Sequence, residues 1–302
     1  MKEVKLEKIK WLDIFEPNAD DMLKVQRRFG LHPLIIDEFS TPTLRPKASE
    51  YENCLYLAIH IPLFDKETRT TYPGELDIVI ADSTLITAHD KDIYQLTEFF
   101  NDLKSSKKKR DLFARHSPGK LLHYIVEMLL ESCFPKLDHI TQKLDHVEEE
   151  IFAGHETEMV FEISVVKRDI LNFRRTMKPQ RTVIESLAQK DYALIENELR
   201  PYYQDLIGTN IRIWNALESV KETIESLEDT NNSLLSNKLD TTMKVLTIFS
   251  AVLLPLTVYS NILAMSAQIP FGNNPFGFWI HISIMIVLGL ITITLFKIKK
   301  WI

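Results

Sequence analysis

The spacing of apolar residues changes three times along this chain. Over the first hundred positions they alternate or form short blocks, at residues 4–15, 55–64, 76–81 and 85–88, a pattern that predicts strands. Helical steps of three and four at 20–29 and 92–103 fall among them, and turn formers at 65–74 separate two of the strands. Residues 1–117 therefore read as an α/β domain, a small sheet with helices packed on it.

From Pro118 the strand pattern stops. Residues 118–152 and 157–190 carry apolar side chains three and four apart, interrupted at Ala153-Gly154-His155, which predicts an antiparallel helical hairpin within residues 118–200. Its tip is acidic, at Asp145, Glu148, Glu149 and Glu150; a solvated helix end and an attractor of cations both account for that run. Residues 201–265 contain only Gly208 and Pro255 as breakers. A single stalk helix is predicted, about 95 Å long at ~1.5 Å per residue.

The end of that stalk has a different character. Residues 245–265 and 276–296 are apolar runs of 21 residues each, close to the ~20 that span a hydrocarbon core of about 30 Å. Two transmembrane helices joined by an external loop, residues 266–275, are predicted. Lys238 and Lys244 precede the first run and Lys297, Lys299 and Lys300 form a basic tail within 297–302, while the loop carries no charge. Basic residues stay on the cytoplasmic side, so both termini are expected in the cytosol and the chain in the plasma (inner) membrane. Trp279 and Trp301 stand near opposite ends of the second run, where indole rings favour the headgroup region.

Composition narrows the function classes. A net charge of −6 leaves no basic excess for nucleic acid, and the run Lys107-Lys108-Lys109-Arg110 reads as a solvated loop between helices. Cys54 and Cys133 have no metal or disulfide spacing, and residues 1–16 show no signal peptide. There is no phosphate-binding glycine loop and no Cys/His constellation, so an enzyme is not expected. His281, alone in the second apolar run, reads as a helix contact.

One face of the stalk stays polar or small into the membrane: Asp229, Asn232, Ser236, Asp240, Met243, Thr247, Ser250, Leu254, Thr257 and Asn261. Polar groups at membrane depth need protein or water beside them. Several identical helices turning this face inward supply both, around a wet channel. In the alternative, the hydroxyls bond back to their own helix and pack against small residues.

At Met243-Lys244-Val245-Leu246-Thr247-Ile248, Pro255-Leu256-Thr257 and the ending Lys299-Lys300-Trp301-Ile302, the chain resembles the two-transmembrane CorA family of divalent cation channels. Weaker similarity covers Phe29-Gly30-Leu31-His32-Pro33-Leu34, Arg45-Pro46-Lys47 and Arg200-Pro201-Tyr202-Tyr203-Gln204-Asp205. The resemblance implies a homopentamer with a cytosolic α/β funnel, a pore-lining first span and an outer second span. The family's Gly-Met-Asn mouth motif falls on Ala264-Met265-Ser266, where only Met is kept. A Ser ring is wider and a weaker dipole than an Asn ring, so Asn261, one turn inside, is expected to take over part of the recognition. Mg²⁺ dehydrates reluctantly and is read through its waters.

By the same likeness, Glu38 and Asp205 correspond to carboxylates that bind a regulatory cation between protomers, and Asp37 and Glu127 to a second pair. Facing carboxylates repel when empty and are bridged by Mg²⁺, so loading favours a closed channel. Asp229 and Asp240 are expected to draw cations toward the inner mouth, and Met243, Leu246 and Leu254 to form apolar narrowings. The implied function is passage of Mg²⁺, with Co²⁺ or Ni²⁺ as further cargo. No cofactor is called for, since Mg²⁺ is both the transported and the regulatory ion, and the partners are further copies of the chain and membrane lipid. A non-conducting or altered-selectivity sensor or scaffold is the alternative that the changed mouth motif leaves open.

Overall fold

The structure is a computed structural model of the 302-residue chain, and it describes residues 1–113, 116–265, 275–299 and 301. Two compact units divide it, Met1–Glu228 and Asp229–Ile302.

The first unit opens with β1 (Lys2–Lys5), β2 (Lys10–Phe15), α1 (Ala19–Phe29) and α2 (Pro33–Ser40). Then come β3 (Lys47–Tyr51), β4 (Cys54–Asp65), β5 (Thr70–Ala81) and β6 (Thr84–His89). The strands form one six-stranded sheet in the order β1-β2-β6-β5-β4-β3, antiparallel except where β2 meets β6. Strand alternation sends successive side chains to opposite faces. Leu12, Ile14, Tyr56, Val79 and Ile86 face α1 and α2, and with Met22, Val25, Ile35 and Phe39 make one core.

Local chemistry fixes these two helices. The Asn18 side chain accepts from the Asp21 N–H at the start of α1, and Gly30 ends it at φ 62°, a left-handed cap suited to glycine. In α2 the His32 side chain accepts from the Leu34 N–H and Pro33 occupies the first turn, where a missing N–H costs nothing.

The opposite face of the sheet is covered by α3 (Tyr94–Ser105), α5 (Pro118–Glu131), α7 (Glu156–Met177) and α8 (Gln180–Gln189). Trp11 lies fully buried there against Phe99 and Phe100 and donates to Thr87 at 2.9 Å. The remaining helices, in chain order, are α4 (Lys107–Phe113), α6 (Cys133–Phe152), α9 (Arg200–Ala264) and α10 (Gly277–Ile298).

The two units divide inside the stretch 201–265 that was expected as one stalk, and several elements differ locally from expectation. The apolar stretch 4–15 is two strands, because the Leu6 N–H turns back onto the Ile9 carbonyl and closes a hairpin. The segment expected as a turn, 65–74, is mostly strand: β5 begins at Thr70, and Pro73 stands opposite Pro62, so both missing donors fall on one rung of the ladder. A Cβ at Gly74 would lie 2.4 Å from Leu63 Cδ1, so a side chain there would require Leu63 to shift. The basic run Lys107–Arg110, expected as a loop, belongs to α4, where the Arg110 guanidinium caps carbonyls of Leu103 and Lys104. Each arm of the hairpin is interrupted once more, at Ser132 and at Lys178-Pro179. The break at 153–155 is where it was expected, with Gly154 at φ 98°.

Candidate cation sites and the apolar helices

Glu38 sits in the last turn of α2, over the sheet face that carries Tyr56 and Asp77. Its Oε2 is shielded from solvent, takes no well-directed hydrogen bond, and lies 2.6 Å from the Lys47 ammonium of β3. The ammonium also stands 5.7 Å above the Tyr56 ring, whose hydroxyl donates to Asp77 at 2.6 Å. Burial pushes the Asp77 carboxyl up to about 8, with the charges of Glu75 and Glu38 adding to it and the Tyr56 hydrogen bond and Lys47 opposing.

Asp205 and Glu127 occupy the other side of the sheet. Asp205 is exposed in the second turn of α9 and Glu127 is half-buried on α5. Helix α9 is fastened to α5 by the Tyr203 hydroxyl, which donates to the Gly119 carbonyl at 2.8 Å. His123 lies beside them, buried, its ring edge-on to Tyr202 and Tyr203 and its Nδ1 4.0 Å from Glu127 Oε2. Burial and the nearby Lys120 charge lower the His123 pKa, against the Tyr202 carbonyl and Asp205, so the ring is neutral at pH 7.

Within one chain, then, Glu38 and Asp205 are on opposite faces of the sheet, and so are Asp37 and Glu127. Among the described residues no three His, Cys, Asp or Glu side chains converge to hold a metal. Carboxylate oxygens suit a hard cation such as Mg²⁺. Sequence reasoning missed Lys47, Lys120 and His123. Of these, only His123 had a pattern to find, standing four residues before Glu127 on one helix face.

In the second unit, the last stretch of α9 and all of α10 are long and apolar enough to cross a membrane, and their apolar windows are almost entirely uncovered. On α9 the half-buried positions include Ile248, Val252, Leu256, Tyr259 and Leu263; on α10 they include His281, Met285, Leu288, Thr292 and Phe296. Each set keeps helical steps of three and four and so marks one face. The Tyr259 hydroxyl and His281 Nδ1 meet at 2.7 Å, which joins those two faces.

The polar stripe lies on the other side of α9. Ser250, Leu254, Thr257 and Asn261 are all exposed, and at about 100° per residue their mean direction is roughly opposite the half-buried set. Asp229, Asp240, Met243 and Leu246 are exposed as well. The Thr247 and Thr257 hydroxyls donate to the carbonyls of Met243 and Leu253, at 2.7 and 2.9 Å. That back-bonding is what the alternative reading of the stripe expects of its hydroxyls, and it leaves their oxygen lone pairs able to accept from water. Ala264 is the last residue of α9 and Met265 is exposed after it; Ser266 lies outside the described residues, as do Asn273, Asn274 and Lys300.

Residues 7–300 match the family described as CorA-like Mg²⁺ transporter protein. The chain belongs to that family. It is 26% identical over 294 residues to the cobalt/magnesium transport protein CorA of Thermotoga maritima, covering 96% of this chain and 83% of the relative. The cobalt/magnesium transport protein CorA of Methanocaldococcus jannaschii is 25% identical over 293 residues, covering 97% and 91%. The complete structure of the CorA magnesium transporter from M. jannaschii superposes with a TM-score of 0.86 at 24% identity, covering all of this chain and 95% of that one. The CorA fold is thus shared from the α/β domain through the two C-terminal apolar helices.

Proposed function

We propose that the chain is one protomer of a homopentameric divalent cation channel of the plasma membrane, both termini cytosolic, passing Mg²⁺ and, like the cobalt/magnesium transport proteins it resembles, Co²⁺. The observation that carries this is the division of α9 into two faces. One is taken by α10; the other, with Ser250, Thr257 and Asn261, is bare and polar at membrane depth. Copies of α9 meeting along that second face give it water and protein neighbours, which lipid does not.

In this channel Asp229 and Asp240 raise the local cation concentration at the inner mouth. Leu246 and Leu254, with Met243, narrow the path with apolar rings that conduct only when wetted. Hydroxyl and amide oxygens of Ser250, Thr257 and Asn261 accept hydrogen bonds from the waters that Mg²⁺ retains. Asn261 supplies recognition that Ala264, Met265 and Ser266 provide poorly at the outer end.

Cytosolic Mg²⁺ acts as the regulator. Glu38 of one protomer and Asp205 of the next, with Asp37 and Glu127 as a second pair, form acidic contacts across the protomer boundary that the cation bridges, and loading closes the channel. The opposite placement of these carboxylates in a single chain supports sites built between copies. A sensor without conduction gains nothing from the comparisons.

Growth rescue of a magnesium-transport-deficient bacterial strain tests the reading. The unmodified chain is expected to restore growth at low Mg²⁺, and Asn261→Ala to weaken it. Rescue only by a Ser266→Asn variant means a lost or altered filter in the natural chain, and rescue by neither chain contradicts the proposal in favour of the sensor.

A further inference from the structure

Glu38 is already neutralised inside its own chain. Register places Lys47 of β3 beside Ala58 of β4, which brings its ammonium 2.6 Å from Glu38 Oε2 with the two side chains 39% and 22% exposed. The pair is open enough for a solute ion to reach and closed enough to be more than a transient surface contact. That carboxylate oxygen is shielded from water and accepts no well-directed hydrogen bond.

A divalent cation approaching this oxygen meets a positive charge already in place. It cannot share the carboxylate with the ammonium without strong repulsion at a few ångströms. From this same position the ammonium stands 5.7 Å from the centre of the Tyr56 ring, and an aromatic face attracts a cation that has lost its carboxylate.

We infer that Lys47 is a tethered competitor of the regulatory cation, so that the Glu38–Lys47 ion pair sets the cation concentration at which the site loads. This rests on the reading of Glu38 as a regulatory ligand. Binding of Mg²⁺ then exchanges one cation for another at Glu38, and the lysine swings off its carboxylate when the site fills. A site built this way stays empty at low Mg²⁺ even though its carboxylate is preorganised on a helix end.

The experiment is protection of the full-length, detergent-solubilised protein from chymotrypsin, which does not cut at lysine, as a function of MgCl₂ concentration. Lys47→Gln and Lys47→Ala are expected to move the midpoint about fivefold lower, the equivalent of an exposed ion pair near the top of its usual range. Lys47→Arg keeps the charge and is expected to stay within about twofold of the natural chain. Glu38→Gln is expected to weaken protection. Unchanged midpoints in both neutral Lys47 variants, with Glu38→Gln shifted, overturn the competitor role and leave Glu38 as a ligand. An unshifted Glu38→Gln overturns the ligand reading itself, and the competitor role with it. Calorimetric titration of Mg²⁺ into the same four variants gives a second readout that does not depend on proteolysis.

Discussion

Replacing Asp77 with asparagine is expected to remove a pH dependence of stability that the sheet builds in. Asp77 is 7% exposed on β5 and receives the Tyr56 hydroxyl at 2.6 Å, and burial holds its carboxyl neutral up to about pH 8. In the unfolded chain the same group ionises near ~3.9. Between those values the folded chain holds a proton that the unfolded chain has released, so stability falls as pH rises, by ~1.4 kcal/mol per pH unit. From pH 5 to pH 7 the loss is about 3 kcal/mol. For a unit of this size 1 kcal/mol corresponds to roughly 2–4 °C, which gives about 6–12 °C. The assay is the apparent Tm of the solubilised chain by intrinsic fluorescence, at one heating rate, at pH 5 and pH 7. His89, whose pKa is raised despite its burial by Asp13 and the Lys91 carbonyl, also loses stability on the alkaline side. It is common to both chains and cancels in the difference. Asp77→Asn is expected to flatten the slope by that amount, and parallel slopes in the two chains refute the reasoning.

Two further outcomes follow from the packing. Gly74→Ala places a Cβ 2.4 Å from Leu63 Cδ1 and is expected to destabilise by about 1–3 kcal/mol, seen as a lower urea midpoint; a neutral result means Leu63 repacks freely. Tyr259→Phe removes the 2.7 Å contact to His281 and is expected to cost about 0.6–1.7 kcal/mol in detergent stability, with less strict apposition of the two spans. A Tyr259→Phe chain as stable as the natural one means the pair is incidental.

Most of the fold was legible because period is a strong signal where it is sustained. The two apolar runs and the strands of β4, β5 and β6 are of this kind, and so is the hairpin break at Gly154. Short or amphipathic pieces were not. β3, five residues with half-buried Lys47, Ser49 and Tyr51, has no alternation to read, and α2 is an eight-residue helix whose start is set by His32 and Pro33 rather than by periodicity. The basic stretch of α4 looked like a loop because its stability comes from guanidinium caps on carbonyls of the preceding helix.

The site divides the same way. The polar stripe was readable from steps of three and four, since α9 is one regular helix from Arg200 to Ala264 with Pro255 inside it. Which face meets α10 was not, because that depends on Tyr259 finding His281 across 22 residues of sequence. The carboxylates could be named from motifs, but Lys47 could not, since its meeting with Glu38 is made by sheet register. Composition and spacing contain no such term.

In the proposed channel the exposed stripe of α9 lines an aqueous cation path. Cys54 and Cys133 are buried, which leaves the natural chain a quiet background for thiol labelling. Ser250→Cys, Thr257→Cys and Asn261→Cys, against Val252→Cys and Leu256→Cys on the face toward α10, can be compared by Mg²⁺ influx into proteoliposomes before and after a membrane-impermeant thiol reagent. The account predicts that influx is blocked in the stripe variants and persists in the other two. Block on both faces alike, or on neither, contradicts it.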